Sequence, residues 1–62
     1  MELKEAIQLM KLDLQVLYDG KPKYILYIDS LHQTCTLSDH PADYVGKIVV
    51  SKNVNIKILQ RK

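Results

Sequence analysis

Two runs of alternating side chains flank a dense turn signal, and this arrangement limits the chain more than any other feature. Leu12, Leu14, Val16 and Tyr18 alternate with Asp13, Gln15 and Leu17, and Tyr24, Leu26 and Ile28 alternate with Ile25, Tyr27 and Asp29. A period of two is that of a half-buried β-strand. Asp19-Gly20-Lys21-Pro22 lies between the runs. Gly accepts a positive φ and Pro fixes its own, so the chain reverses there and residues 12–29 read as a β-hairpin. Two registers compete. A two-residue Asp-Gly turn is locally favoured, but it sets Val16 opposite Lys23 across the core face. A three-residue loop, Asp19 to Lys21, sets Val16 opposite Tyr24, Leu14 opposite Leu26 and Leu12 opposite Ile28. A slip of one residue exchanges the two faces of a strand, so burial favours the three-residue loop, with Pro22 beside the turn where a missing N–H costs least.

Residues 2–11 have a different period. Leu3, Ala6, Ile7 and Met10 fall on one face of a 3.6-residue repeat, with Leu9 off that stripe. Glu2 and Glu5 near the start and Lys11 near the end match the helix dipole. No good N-cap residue precedes the segment. A helix this short is unstable alone, so it is expected to dock on the apolar face of the sheet.

Beyond the hairpin, Ser30 to Gln33 reads as a loop and Thr34 to Leu37 as a short strand with Cys35 and Leu37 facing the core. Pairing Ile28 with Cys35 and Leu26 with Leu37 keeps that face continuous. Ser38-Asp39-His40-Pro41 is a break. Asp39 is suited to cap a short helical turn over residues 40–45, with Tyr44 or Val45 closing one end of the core. Residues 46–60 read as a second hairpin, Gly46 to Ser51 and Val54 to Gln60. Asn53 occupies the left-handed position of its loop, a conformation Asn tolerates. Val50 then faces Val54, Ile48 faces Ile56, and Lys47 meets Lys57 on the outer side. The expected fold is mainly β: five short antiparallel strands in a curled sheet or a small SH3-like barrel, with an N-terminal helix. An open sheet covered by the helix is the alternative, because two glycines are few for the kinks that full closure needs.

At 62 residues the chain makes one small domain. A domain of this size buries only about 60% of its unfolded surface, so a dimer or a bound partner can supply part of its stability. One cysteine, Cys35, leaves no disulfide framework and favours a reducing cytoplasm. No apolar run is long enough for a membrane span or a signal peptide. Net charge is +2, unevenly spread. All seven acidic residues precede Lys47, whereas Lys47, Lys52, Lys57, Arg61 and Lys62 end the chain without one. An asymmetry of this kind marks either a solvated face or an anionic partner.

The residues that could carry chemistry are sparse. His32, Cys35, Asp39 and His40 form the one cluster of potential ligands, but a zinc site needs a fuller set, so no metal or cofactor is expected. Asp29, Ser30 and His32 lack an evident oxyanion site and a phosphate-cradling glycine loop is missing, so neither an enzyme nor a small-molecule substrate is expected. Two surfaces remain. Leu17, Ile25 and Tyr27 are apolar on the outer face of the first hairpin, where a half-exposed sheet should be polar; either the fold covers them or they contact a protein partner or a second copy. Lys47 opposite Lys57 is an unfavourable like-charge pair. With Lys52, Arg61 and Lys62 it could follow a nucleic-acid backbone. The absence of Trp and Phe leaves little for base stacking.

Overall fold

The computed structural model describes residues 1–62. Helix α1 spans Leu3–Lys11, and strands β1 Gln15–Tyr18, β2 Lys21–Asp29, β3 Thr34–Ser38, β4 Val50–Asn55 and β5 Gln60–Arg61 form one antiparallel sheet, with a single 3₁₀ turn at Ile56–Ile58. Strand order across the sheet is β4-β3-β2-β1-β5. The class is mainly β with an N-terminal helix, as expected, and the sheet is curled but not closed into a barrel. Curling follows from chain length. Four strand spacings of about 4.8 Å put the edges of a flat five-stranded sheet about 19 Å apart. Residues 56–59 join β4 to β5 largely through a 3₁₀ turn, which advances only about 2 Å per residue. The two edges therefore approach each other at that end. Two β-bulges, rather than glycines, provide the bending. One lies at Leu26, between the pairs Ile25↔Leu37 and Tyr27↔Thr36. The other sets Lys52 and Asn53 against Thr36, with Asn53 at φ 58°.

The first hairpin forms, but in the other register. Tyr18 pairs with Lys21, Val16 with Lys23 and Gln15 with Tyr24. Asp19 and Gly20 alone make the turn, at φ 53° and 75°. Positive φ at both central residues is the type I′ pattern, whose twist matches that of the flanking strands. The lysine that this register sets opposite Val16 is not fully buried. Lys23 is half-buried and lies close enough to Asp39 for its charge to help hold that carboxyl in the ionised form. A lysine stem can cover apolar surface while its ammonium reaches a polar site.

Leu12 and Leu14 do not belong to β1. They are 56% and 49% exposed, and they end the helix. Leu14 N–H donates to Leu9 C=O and Asp13 N–H donates to Met10 C=O, with Asp13 at φ 55°. This is a Schellman cap, in which the left-handed residue is usually glycine. Asp13 holds it at a conformational cost. Asp13→Gly is accordingly expected to stabilise the fold by about 1 kcal/mol, measured as a higher urea midpoint at unchanged slope. At the other end Glu2 occupies the N-cap without a side-chain hydrogen bond. The Met1 ammonium donates to the Lys57 and Leu59 carbonyls, each at 3.2 Å.

The core consists of Ala6, Leu9, Val16, Ile25, Cys35, Leu37, Val54, Ile56 and Leu59, with Met1, Leu3, Met10, Tyr18 and Ile28 packed around it. Leu9, expected off the stripe, is buried, whereas Ile7 is only half-buried. Helix α1 lies mainly over β2 and also touches β1 and the 3₁₀ turn, and this rolls its inward face toward Ala6 and Leu9. Ile28 pairs with Cys35 as expected, but Leu37 pairs with Ile25 rather than Leu26, because Leu26 is the extra residue of the bulge.

The second half departs further from expectation. The hairpin over 46–60 does not form. Val50–Asn55 is one continuous strand against β3, and Ser51-Lys52-Asn53 is a bulged part of it rather than a loop. Residues 40–45 contain no helix, only one turn closed by Tyr44 N–H to Pro41 C=O at 3.0 Å. Asp39 does not cap it; its Oδ1 accepts from Val49 N–H at 3.1 Å instead. Tyr44 and Val45 do not close the core, being 44% and 93% exposed.

Candidate interaction surface

The bulge at Leu26 decides what the outer face of the first hairpin offers. Before it, odd-numbered residues of β2 face inward with Val16; after it, Ile28 does. Ile25 is therefore part of the core, 6% exposed, and is not available as a surface contact residue. Tyr27, opposite Thr36, is 65% exposed. Leu17 is half-buried beside Pro22. Pro22 and Tyr27 lie five residues apart on β2, about 15 Å along the strand. Leu17, Ile25 and Tyr27 thus do not make one patch.

The basic residues also divide. Lys52 lies on β4 and Arg61 on β5, at opposite ends of the strand order. Lys47 sits in the connection between β3 and β4, and Lys57 in the 3₁₀ turn, so the expected Lys47–Lys57 cross-strand pair does not exist. Arg61 Nη1 is 3.0 Å from Glu5 Oε2, and Lys62 Nζ donates to Gln15 Oε1 at 2.5 Å. These two cations border a hollow of about 280 Å³ floored by Leu9 and Leu14. Lys47, Lys52 and Lys57 take part in no ion pair.

The ligand-type side chains are dispersed. His32 Nδ1 is 2.8 Å from Asp29 Oδ2, while Asp29 Oδ1 accepts from the Leu31 and His32 N–H groups. The His32 side-chain bond, then the His32 N–H, holds the Asp29 carboxyl below the usual carboxylate range. Burial pushes the Cys35 thiol up to about 11, so it is protonated and unreactive at neutral pH. No three His, Cys, Asp or Glu side chains converge.

The surface that sequence reasoning missed is residues 44–50. Tyr44, Val45, Ile48, Val49 and Val50 are 44%, 93%, 40%, 67% and 40% exposed, two apolar stretches separated by Gly46 and Lys47 and without regular secondary structure up to Val50. The ring of Tyr44 stacks on His40 at 3.8 Å between centroids and 9° between planes. Gly46, at φ 140°, lies against that tyrosine ring. The run continues directly into β4, whose outer side has no neighbour in the sheet. The available signal was Ile48-Val49-Val50, three consecutive β-branched residues where a solvated hairpin strand should alternate.

Asp39 ties this run to the body. Val49 N–H donates to its carboxylate, and this bond is the first cause that holds its carboxyl below the usual range; the neighbouring His40 and Lys23 add to it. A carboxyl whose folded pKa is depressed contributes stability above its unfolded pKa and loses it as pH falls through the folded value. Acidification below the ordinary carboxylate range is therefore expected to weaken the attachment of Val49, leaving the Asp39 N–H to Val49 C=O and Tyr44 N–H to Pro41 C=O bonds in place. The Val49 amide chemical shift should follow Asp39 with a midpoint below that of an unperturbed Asp, and Asp39→Ala should abolish the transition.

No helix is long and apolar enough to cross a membrane. Comparison with family models, curated proteins and solved structures yields no match.

Proposed function

We propose that this chain is a small non-enzymatic interaction protein of the cytoplasm, a regulator, adaptor or inhibitor, that binds a protein partner or a second copy of itself. The single observation that carries the reading is the exposed apolar run Tyr44–Val50 leading into the free edge of β4. Large apolar side chains exposed close together along the chain favour a contact that removes them from water, and a free strand edge offers backbone hydrogen bonds to an incoming strand. Leu17 and Tyr27 contribute less, being separated on the outer face. The buried, unreactive Cys35 fits a reducing compartment. Sedimentation equilibrium together with cross-linking in a lysate of the native host tests the reading. A second copy or a specifically cross-linked protein is expected; a strict monomer that captures no protein contradicts it.

A second reading is nucleic-acid binding through Lys47, Lys52, Lys57, Arg61 and Lys62, favoured by the absence of any acid after Asp43. It requires binding that weakens steeply with salt and with Lys57→Glu. The division of these residues between opposite sheet edges, and the pairing of Arg61 with Glu5, rank it second.

A further inference from the structure

Resting on the protein-interaction reading, we infer that the free edge of β4, with its approach Lys47–Val49, accepts an extended acidic peptide segment of a partner protein as an additional strand. Only two edges are free in this sheet. β5 is two residues long, too short to hold a strand in register, whereas β4 has six and is prolonged by the exposed Ile48 and Val49. Edge pairing supplies main-chain hydrogen bonds, and side chains on alternate positions supply the choice of partner.

Charge selects the occupant. Lys47 and Lys52 lie along this edge and its approach, neither is in an ion pair, and no acidic residue follows Asp43; Lys57, in the 3₁₀ turn, borders a hollow shared with Glu2 and Glu5. A lysine on an edge strand together with a bulge is a device that discourages indiscriminate pairing, and β4 has both in Lys52 and the left-handed Asn53. A second copy pairing β4 with β4 brings Lys47 and Lys52 of both copies together, while the Asp39 carboxylate beside Val49 is already engaged by the Val49 N–H. Pairing β4 with the β5 of another copy adds Lys62 to the same side, Arg61 being paired with Glu5. Like charges facing across a ladder are destabilising, and opposite charges stabilise it. The residues that oppose self-pairing are thus the ones that attract an acidic strand. A nucleic acid would satisfy the lysines but leave Val45, Ile48 and Val49 in water, and the ring of Tyr44 is already stacked on His40. A peptide alternating acidic and apolar residues meets both requirements.

The test uses the full chain labelled with ¹⁵N and end-blocked synthetic peptides. One alternates Glu with Val, one alternates Lys with Val, and one is the Glu peptide with alternate backbone nitrogens methylated; a short oligouridylate is a fourth arm. The Glu–Val peptide is expected to shift amides between Lys47 and Asn55 and to slow amide exchange in β4. The Lys peptide and the methylated peptide should bind about tenfold more weakly or worse. Lys47→Glu with Lys52→Glu should reverse the charge preference while the α1, β1 and β2 resonances stay in place, which reports that the fold is intact. Equal binding of both peptide charges, binding indifferent to methylation, tighter binding of the oligouridylate at β4, or no binding overturns the inference. Shifts confined to Leu17 and Tyr27 overturn the edge assignment and leave the interaction reading standing. That reading falls separately, on sedimentation and cross-linking.

Discussion

Leu37→Ala is expected to remove about half of the stability of this protein. Leu37 is 1% exposed, the largest fully buried side chain, and sits in the middle strand pair opposite Ile25. Leu-to-Ala changes in a packed core cost about 2–5 kcal/mol, because the transfer free energy is lost and the cavity closes only in part. At roughly 0.05–0.15 kcal/mol per residue, a 62-residue domain has about 3–9 kcal/mol in total. Urea unfolding followed by far-UV circular dichroism should show the midpoint falling by roughly half. Leu31→Ala is the matching control. Leu31 is 85% exposed, and its truncation should stay within about 0.5 kcal/mol of the parent.

The second large effect is a contrast between neighbours. Ile25→Ala is expected to cost about 2–5 kcal/mol and Tyr27→Ala less than about 1 kcal/mol. A sequence pattern alone puts both on the same side of a regular strand, because they are two residues apart. The structure separates their environments, with Ile25 in the core and Tyr27 at 65% exposure. Ile25 faces inward beside Val16 in the two-residue-turn register, and the bulge at Leu26 then restores Ile28 to the inside. Similar losses at both positions, or a larger loss at Tyr27, would mean that the register or the bulge is wrong.

These two residues also show what was legible in the sequence. The reversal at Asp19-Gly20, the helix over most of residues 2–11, the inward Cys35 and Leu37, and the left-handed Asn53 follow from local chemistry and are found. The register was not legible. It depended on weighing a favoured Asp-Gly turn against a lysine opposite Val16, and how far that lysine stays exposed is visible only after folding. The Schellman cap at Asp13 imitated strand alternation because Leu12 and Leu14 flank an acid. In the last third, Ser51-Lys52-Asn53 has the composition of a turn, but β3 offers a partner to every residue from Val50 to Asn55 except those in the bulge, and tertiary pairing prevails over local turn propensity. The candidate surface went unseen for the same reason: placing Ile48 and Val49 in a hairpin gave them a partner strand that does not exist.

Within a single molecule the backbone of residues 45–48 and the outer edge of β4 have no hydrogen-bond partner, whereas Val49 is held by Asp39 and Val50 pairs with Ser38. Amide hydrogen exchange measured residue by residue at two widely separated protein concentrations tests it most directly. Slow exchange is expected in the pairs joining β1, β2 and β3, and fast, concentration-independent exchange at Val45, Gly46, Lys47 and Ile48, with Val49 slowed by its bond to Asp39. Slow exchange throughout residues 46–50 in dilute solution, as a second hairpin would give, would contradict it.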